Sequence, residues 1–348
     1  MKDMGHRERV EATIAGELPD RAPVCDFGNG APLTEAGVEL QACRFNPELA
    51  AKVMEEWVRK TEVDMYFGIM ESKGMFMDLP GIKVNLPPND QGSFTDEYFK
   101  TIEDVETKEF PDALSRKECP KLYGCVVDPM VRTREAVKTG ALGPCWAEGV
   151  LTATALLRGT EMLLMDMLMD PDAAKKAIAR GKEWSDQVVR ATYAGTADYV
   201  IDTDPVASSS LIDVDMFKDF VLEPTKQNIA GWKKDLKIPV MVHICGDTTP
   251  MMDQFTLLGN EIQSIDYLVD IGKAREIVGD KITLLGNINP VELVWQGTVQ
   301  EVKDASKACF NSAGRGGRYI FGSGCATPRD SPIANTKAMV EASKECPY

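Results

Sequence analysis

IPVMVHICG, residues 238–246, is an apolar run that ends in an imidazole and a thiol. Side chains along a strand alternate between its two faces. Met241, His243 and Cys245 therefore point one way, and Val240, Val242 and Ile244 point the other. A second apolar run, RYIFGSGC (318–325), delivers Cys325 after a Gly-Ser-Gly turn. Imidazole and thiolate are soft donors suited to zinc, and a His-Cys-Cys set leaves one corner of a tetrahedral ion open for chemistry. The competing reading is bland: free cysteines often serve as small core residues. H-x-C also lacks the closely paired spacing of zinc fingers. Against that, the chain has only two histidines, His6 and His243. The pattern by itself leaves both readings open.

Outward from this strand, helix and strand signals alternate, which predicts a parallel α/β architecture. Strands are expected at 22–27 (APVCDF), 63–68 (VDMYFG), within TGALGPCWAEG, from 197 (ADYVID), and at 238–245. Others follow at 261–266, 281–288 and 318–323. Helices are expected at 5–16, 47–61, 129–139, 150–168, 171–194, 215–234, 249–258, 272–278, 298–313 and 332–345. Asn46 and Asp170 are the N-caps of two of them, each followed by proline at the first helical position. Segment 28–46 reads as a loop over the site.

Eight strands, each followed by a helix and with no composition break between them, fit one domain over 1–348. That domain is a (β/α)8 TIM barrel, of about 250 residues, and about 100 remain for an N-terminal extension and an inserted lid at about 70–130. The alternative is a doubly wound open sheet, but its G-x-G-x-x-G signature is absent. GRGG (314–317) precedes a strand and reads as a turn.

A barrel places function at the C-terminal ends of its strands, and polar residues collect there. Asp202 and Asp204 close one strand, His243 and Cys245 the next, and Asp266 the one after; Asn287, Asn289 and Cys325 follow.

Composition excludes several function classes. The net charge of −15, with no basic stripe, opposes nucleic acid and substrates rich in carboxylates. No apolar stretch reaches the roughly 18 residues of a membrane span. The N-terminus reads as a charged helix start and not as a signal peptide. Nine cysteines, an odd number, point to a reducing compartment, so a cytoplasmic protein is expected. The other seven (Cys25, Cys43, Cys119, Cys125, Cys145, Cys309, Cys346) have no metal spacing among themselves.

HICGDTTP (243–250), DTDPVASSSL (202–211), LLGNINPVEL (284–293) and GSGCATPRDSPIANTKAM (322–339) resemble the uroporphyrinogen decarboxylase superfamily. Within it the chain is most similar to the zinc-dependent branch that works with corrinoid proteins, the methylcobamide:coenzyme M methyltransferases. The likeness is strong from about 197 onward, weaker in PVCDFG and FNPELAAKVMEEW, and poor over 65–135. It implies a (β/α)8 barrel, zinc on His243, Cys245 and Cys325, and methyl transfer to or from a cobalamin carried by a separate corrinoid protein. The decarboxylase branch grips its substrate with N-terminal arginines, and CDFGNGAPLTEAG (25–37) has none.

Three functions remain at this stage. In the first, zinc activates a small thiol that exchanges a methyl group with cobalamin. In the second, the methyl comes from a methoxy-aryl or methylamine-like donor. Met70 and Met75, with Met65, Tyr66, Phe67, Phe76 and Met77, then line an apolar pocket or simply pack the core. In the third, zinc is structural and the chain is a corrinoid-docking module. Asp266 is a candidate fourth ligand or a catalytic orienter. Asp204, Asn287 and Asn289 are candidates for binding substrate or the metal shell, with helix capping and loop pinning as the other reading. Oligomeric state, homodimer included, is not legible.

Overall fold

The computed structural model describes residues 3–28 and 30–348. A short antiparallel hairpin, β1 (Val84–Asn85) and β2 (Ser93–Phe94), precedes six longer-range strands. These are β3 (Pro144–Glu148), β4 (Tyr199–Thr203), β5 (Val240–His243), β6 (Ile262–Ser264), β7 (Thr283–Leu285) and β8 (Tyr319–Ile320). They form one parallel sheet in sequence order. Single parallel bridges carry the circuit from β8 back to β3: Val24 with Phe321, Cys25 with Met65, and Met65 with Leu142. The expected strands at 22–27 and 63–68 are thus reduced to single bridges. One physical reason is visible at Val24, whose N–H is taken by the Asp64 carboxylate at 2.8 Å and not by a neighbouring carbonyl.

The alternation expected of IPVMVHICG is present. Met241 lies in the inner cluster with Tyr199, Ile201, Ile262, Leu285 and Ile320. Val240, Val242 and Ile244 belong to the outer layer between sheet and helices. Val10 of the helix His6–Ala15 also joins the inner cluster, so the N-terminal extension plugs one end of the barrel. That plug is pinned by Arg9 and Arg21, which reach the buried Asp64 at 2.6 and 2.8 Å. Buried ion pairs of this kind are costly to break, because the remaining charge has no partner.

The helix Pro47–Thr61 starts as its cap predicts, with the Asn46 side chain accepting from Leu49 N–H. Asp170 does the same for Pro171–Tyr193. Three expectations need correction. Segment 28–46 carries two short helices, Gly30–Glu35 and Leu40–Cys43. The run 150–168 is two helices, Val150–Arg158 and Thr160–Met169, because Gly159 adopts φ 84° between them. The run 249–258 holds only one turn of 3-10 helix and Met252–Phe255. Residues 70–130 hold the β1–β2 hairpin and short helical turns, and they bury Met75, Phe76, Phe99 and Leu122 in the main core. Among the described residues no helix is long and apolar enough to cross a membrane.

Candidate metal centre

The sheet register sets four side chains in one row at the C-terminal rim. Glu148 pairs with Thr203, Thr203 with His243, and His243 with Ser264. Below them, Trp146, Ile201, Met241 and Ile262 form the next inward row by the same pairing. The rim is therefore polar where the interior beneath it is apolar.

Cys245 and Cys325 come from the loops that follow β5 and β8. After Cys245 the chain turns through Gly246 at φ 86°, a conformation that side-chained residues rarely adopt. Before Cys325, Gly324 lets the loop press against its neighbour: a Cβ there would sit 2.3 Å from Tyr267 N. The result is convergence. His243 Nε2 lies 3.1 Å from Cys245 Sγ, and the two sulfurs are 3.5 Å apart. The sulfurs are not bonded to each other, all nine cysteines being free thiols.

This donor set fits zinc. A tetrahedral ion with usual Zn–S and Zn–N bond lengths needs donors roughly 3.6–3.8 Å apart. The distances found, 3.1 and 3.5 Å, are near that. Among the described residues these three are the group of His, Cys, Asp and Glu whose ligand atoms converge, all within 4.8 Å. The imidazole is held on two sides: Nδ1 meets Ser264 Oγ at 2.9 Å, and Phe27 packs edge-on at 4.6 Å between ring centroids. That leaves Nε2 facing the sulfurs, as the nitrogen that could coordinate an ion.

The two thiols titrate as an interacting pair. The hydrogen bond from Cys245 pulls the Cys325 thiol down to about 4, with His243 adding to the effect. The same bond, with burial next, pushes Cys245 far up.

The other candidates divide. Met70 lines the cavity above the metal donors. Met75 is buried in the core, and its carbonyl accepts from Trp184 Nε1. Asp204 faces a helix instead of the cavity: its carboxylate accepts from Leu151 N–H, Thr152 N–H and Thr152 Oγ1–H. Asp202 falls on the outer face with Val200, where burial first and then Asp204 push its carboxyl well up. Asn287 donates to the carbonyls of Asp266 and Val269, pinning that loop. Asn289 accepts from Val291 and Glu292 N–H at the start of the following helical turn. Asp266 is buried near Cys245, with Oδ1 accepting from Leu268 N–H at 2.9 Å.

The cavity over the donors has a volume of about 240 Å³. Phe27, Phe67, Met70 and Trp146 supply its apolar walls, and Ser72 and Gln91 close it from the inserted region. Among the described residues its one carboxyl is Glu148, which sequence reasoning passes over. The signal was available: Glu148 ends its strand at the same level as His243. Burial pushes this carboxyl up, opposed by Lys73 and by the Thr203 hydroxyl.

The chain matches the uroporphyrinogen decarboxylase (URO-D) family over residues 5–346 and belongs to it. A methylated-thiol–coenzyme M methyltransferase of Methanosarcina mazei is 28% identical over 196 residues, 56% of this chain and 51% of that protein. The match thus spans about half the length of that relative. A methylcobamide:CoM methyltransferase of Methanosarcina barkeri is 23% identical over 353 residues, covering 99% of each. A solved methyltransferase from Methanosarcina mazei superimposes with a TM-score of 0.82 at 22% identity, covering 98% of this chain and 99% of that one. This last likeness establishes the fold, and with it the barrel.

Proposed function

We propose that this URO-D family member is a zinc-dependent methyltransferase that moves a methyl group between a cobalamin, carried on a separate corrinoid protein, and a small thiol. The convergence of His243 Nε2 with the sulfurs of Cys245 and Cys325 carries the reading. Three donors at a barrel rim leave a tetrahedral position facing the cavity, as catalytic zinc sites do. Relatives named for methylcobamide and for a methylated thiol support the same chemistry.

A zinc ion held there would lower the pKa of a substrate thiol, so that the nucleophilic anion exists at neutral pH. Cys245 and Cys325 as thiolates, with a neutral His243, would offset the ion's double charge and so keep that sulfur electron-rich. Ser264 fixes the imidazole through Nδ1. Phe27, Phe67 and Trp146 exclude water from the attacking sulfur. Asp266 acts as an orienter: it lies outside the converging donors and already accepts a backbone N–H.

A second reading, a methoxy-aryl donor whose methyl passes to the corrinoid, is favoured by the aromatic walls of the cavity. Two assays with zinc-loaded protein separate the cases: demethylation of methylcobalamin by a thiol, and methylation of cob(I)alamin by an aryl methyl ether. Methyl transfer to thiols without ether cleavage supports the first, and ether cleavage supports the second. Retained zinc with neither reaction leaves a docking module.

A further inference from the structure

The cavity has a chemical sign of its own. Its walls are aromatic or thioether, and Phe67 meets Phe27 and Trp146 edge-to-face at 4.2 and 5.1 Å between centroids. Among the described residues no Lys or Arg lines it, and its one charged side chain is Glu148. Glu148 Oε2 accepts from the Thr203 hydroxyl at 3.1 Å. Oε1 has no donor within hydrogen-bond distance among the described residues; the nearest cation, Lys73 Nζ, stands at 3.9 Å. The Trp146 indole N–H, also at the wall, is buried without a partner among the described residues.

Register fixes how far the Glu148 backbone is from that of His243. Glu148 and His243 lie in one rim row, each paired to Thr203 between them. Two strand spacings amount to roughly 9–10 Å between their backbones. Both ends line the same cavity, so a molecule with its sulfur at the metal donors and a short carbon body extends towards Glu148. Aromatic rings with a carboxylate are the recognition chemistry of ammonium groups, whereas an anion would meet a like charge, because the nearby cation, Lys73, is not among the described residues that line the cavity.

We propose that this cavity selects a small substrate whose non-reacting end is a compact cation, such as an ammonium, received by Glu148 and the rings of Phe27, Phe67 and Trp146, and disfavours one whose end is anionic. The proposal rests on the methyltransferase reading for the identity of the reacting end, and not for the charge of the other.

Calorimetric titration of the zinc-loaded protein tests it with three thiols of equal chain length: cysteamine, 2-mercaptoethanol and 2-mercaptoethanesulfonate. The readout is the cysteamine-to-sulfonate affinity ratio in the wild type divided by the same ratio in Glu148→Gln. Differences in thiol acidity between the probes cancel in that quotient. Losing one charge-assisted contact should lower the ratio roughly tenfold or more. Phe67→Leu should weaken cysteamine several-fold with little effect on the sulfonate. Zinc content and circular dichroism verify that both variants are folded. A ratio unchanged in Glu148→Gln overturns the proposal. Propylammonium and propanesulfonate, which carry no thiol, are titrated in parallel. Their preference should persist and depend on Glu148 in the same way. If the thiols fail to bind while propylammonium keeps its preference, the methyltransferase reading falls and the charge selection stands. No preference in either series removes the charge selection.

Discussion

His243 Nδ1 and Ser264 Oγ lie 2.9 Å apart, joined across β5 and β6 at a position where the register pairs these two residues. The contact decides which imidazole nitrogen is left for a metal. Partners of this kind are worth about 10–100-fold in metal affinity. Ser264→Ala is therefore expected to weaken zinc binding by that factor in a chelator competition, with the unfolding midpoint little changed.

The ligands themselves join loop ends and do not hold the sheet. His243→Ala and Cys245→Ala should each lose zinc and methyl transfer while keeping the cooperative unfolding transition. A variant that loses its fold would make the metal structural.

Asp204 makes the opposite prediction. It accepts three hydrogen bonds at the start of Val150–Arg158. Asp204→Ala should cost roughly 2–3 kcal/mol in urea unfolding, with zinc stoichiometry unchanged.

How much of this was legible can be argued from that residue. Asp204 was read as a site residue because it follows a strand's C-terminal end, the right place in a barrel. What the sequence does not reveal is where the strand stops and which nearby helix lacks a cap. Glu148 was overlooked for the converse reason: PCWAEG reads as apolar strand, and only the pairing with Thr203 and His243 puts its carboxyl on the rim. His243 was legible because alternation in IPVMVHICG fixes the inward face, and the inner cluster around Met241 matches it; Cys245 and Cys325 lie in loops beyond β5 and β8, legible only as sulfurs that follow apolar runs. The inserted region was not legible. Its hairpin and short turns have no sustained period, and they are ordered by long-range contacts such as Trp184 Nε1 to the Met75 carbonyl.

Gly324 gives a steric test. A Cβ there would meet Tyr267 N at 2.3 Å, and backbone cannot give way as a side-chain tip can. Gly324→Ala should displace the Cys325 loop, lowering stability by ~1–3 kcal/mol and zinc affinity with it.

Asp26 gives a pH test. Burial pushes its carboxyl up to about 7, only partly opposed by the Trp57 Nε1–H bond. A carboxyl whose folded pKa exceeds its unfolded value holds its proton more tightly when folded. Its contribution to stability is full below about pH 4 and is lost as pH rises through about 7. The stability of Asp26→Asn minus that of the wild type should therefore rise between those limits and then level off. A flat or falling difference would show that the carboxyl is ionised and well solvated.

Zinc-edge X-ray absorption on the purified native protein, with and without added thiol, tests the central claim most directly. The account predicts one zinc per chain with two sulfurs, one imidazole nitrogen and one exchangeable light atom, and a third sulfur replacing that atom when thiol is added. No stoichiometric zinc, or four protein ligands that thiol leaves unchanged, would contradict it.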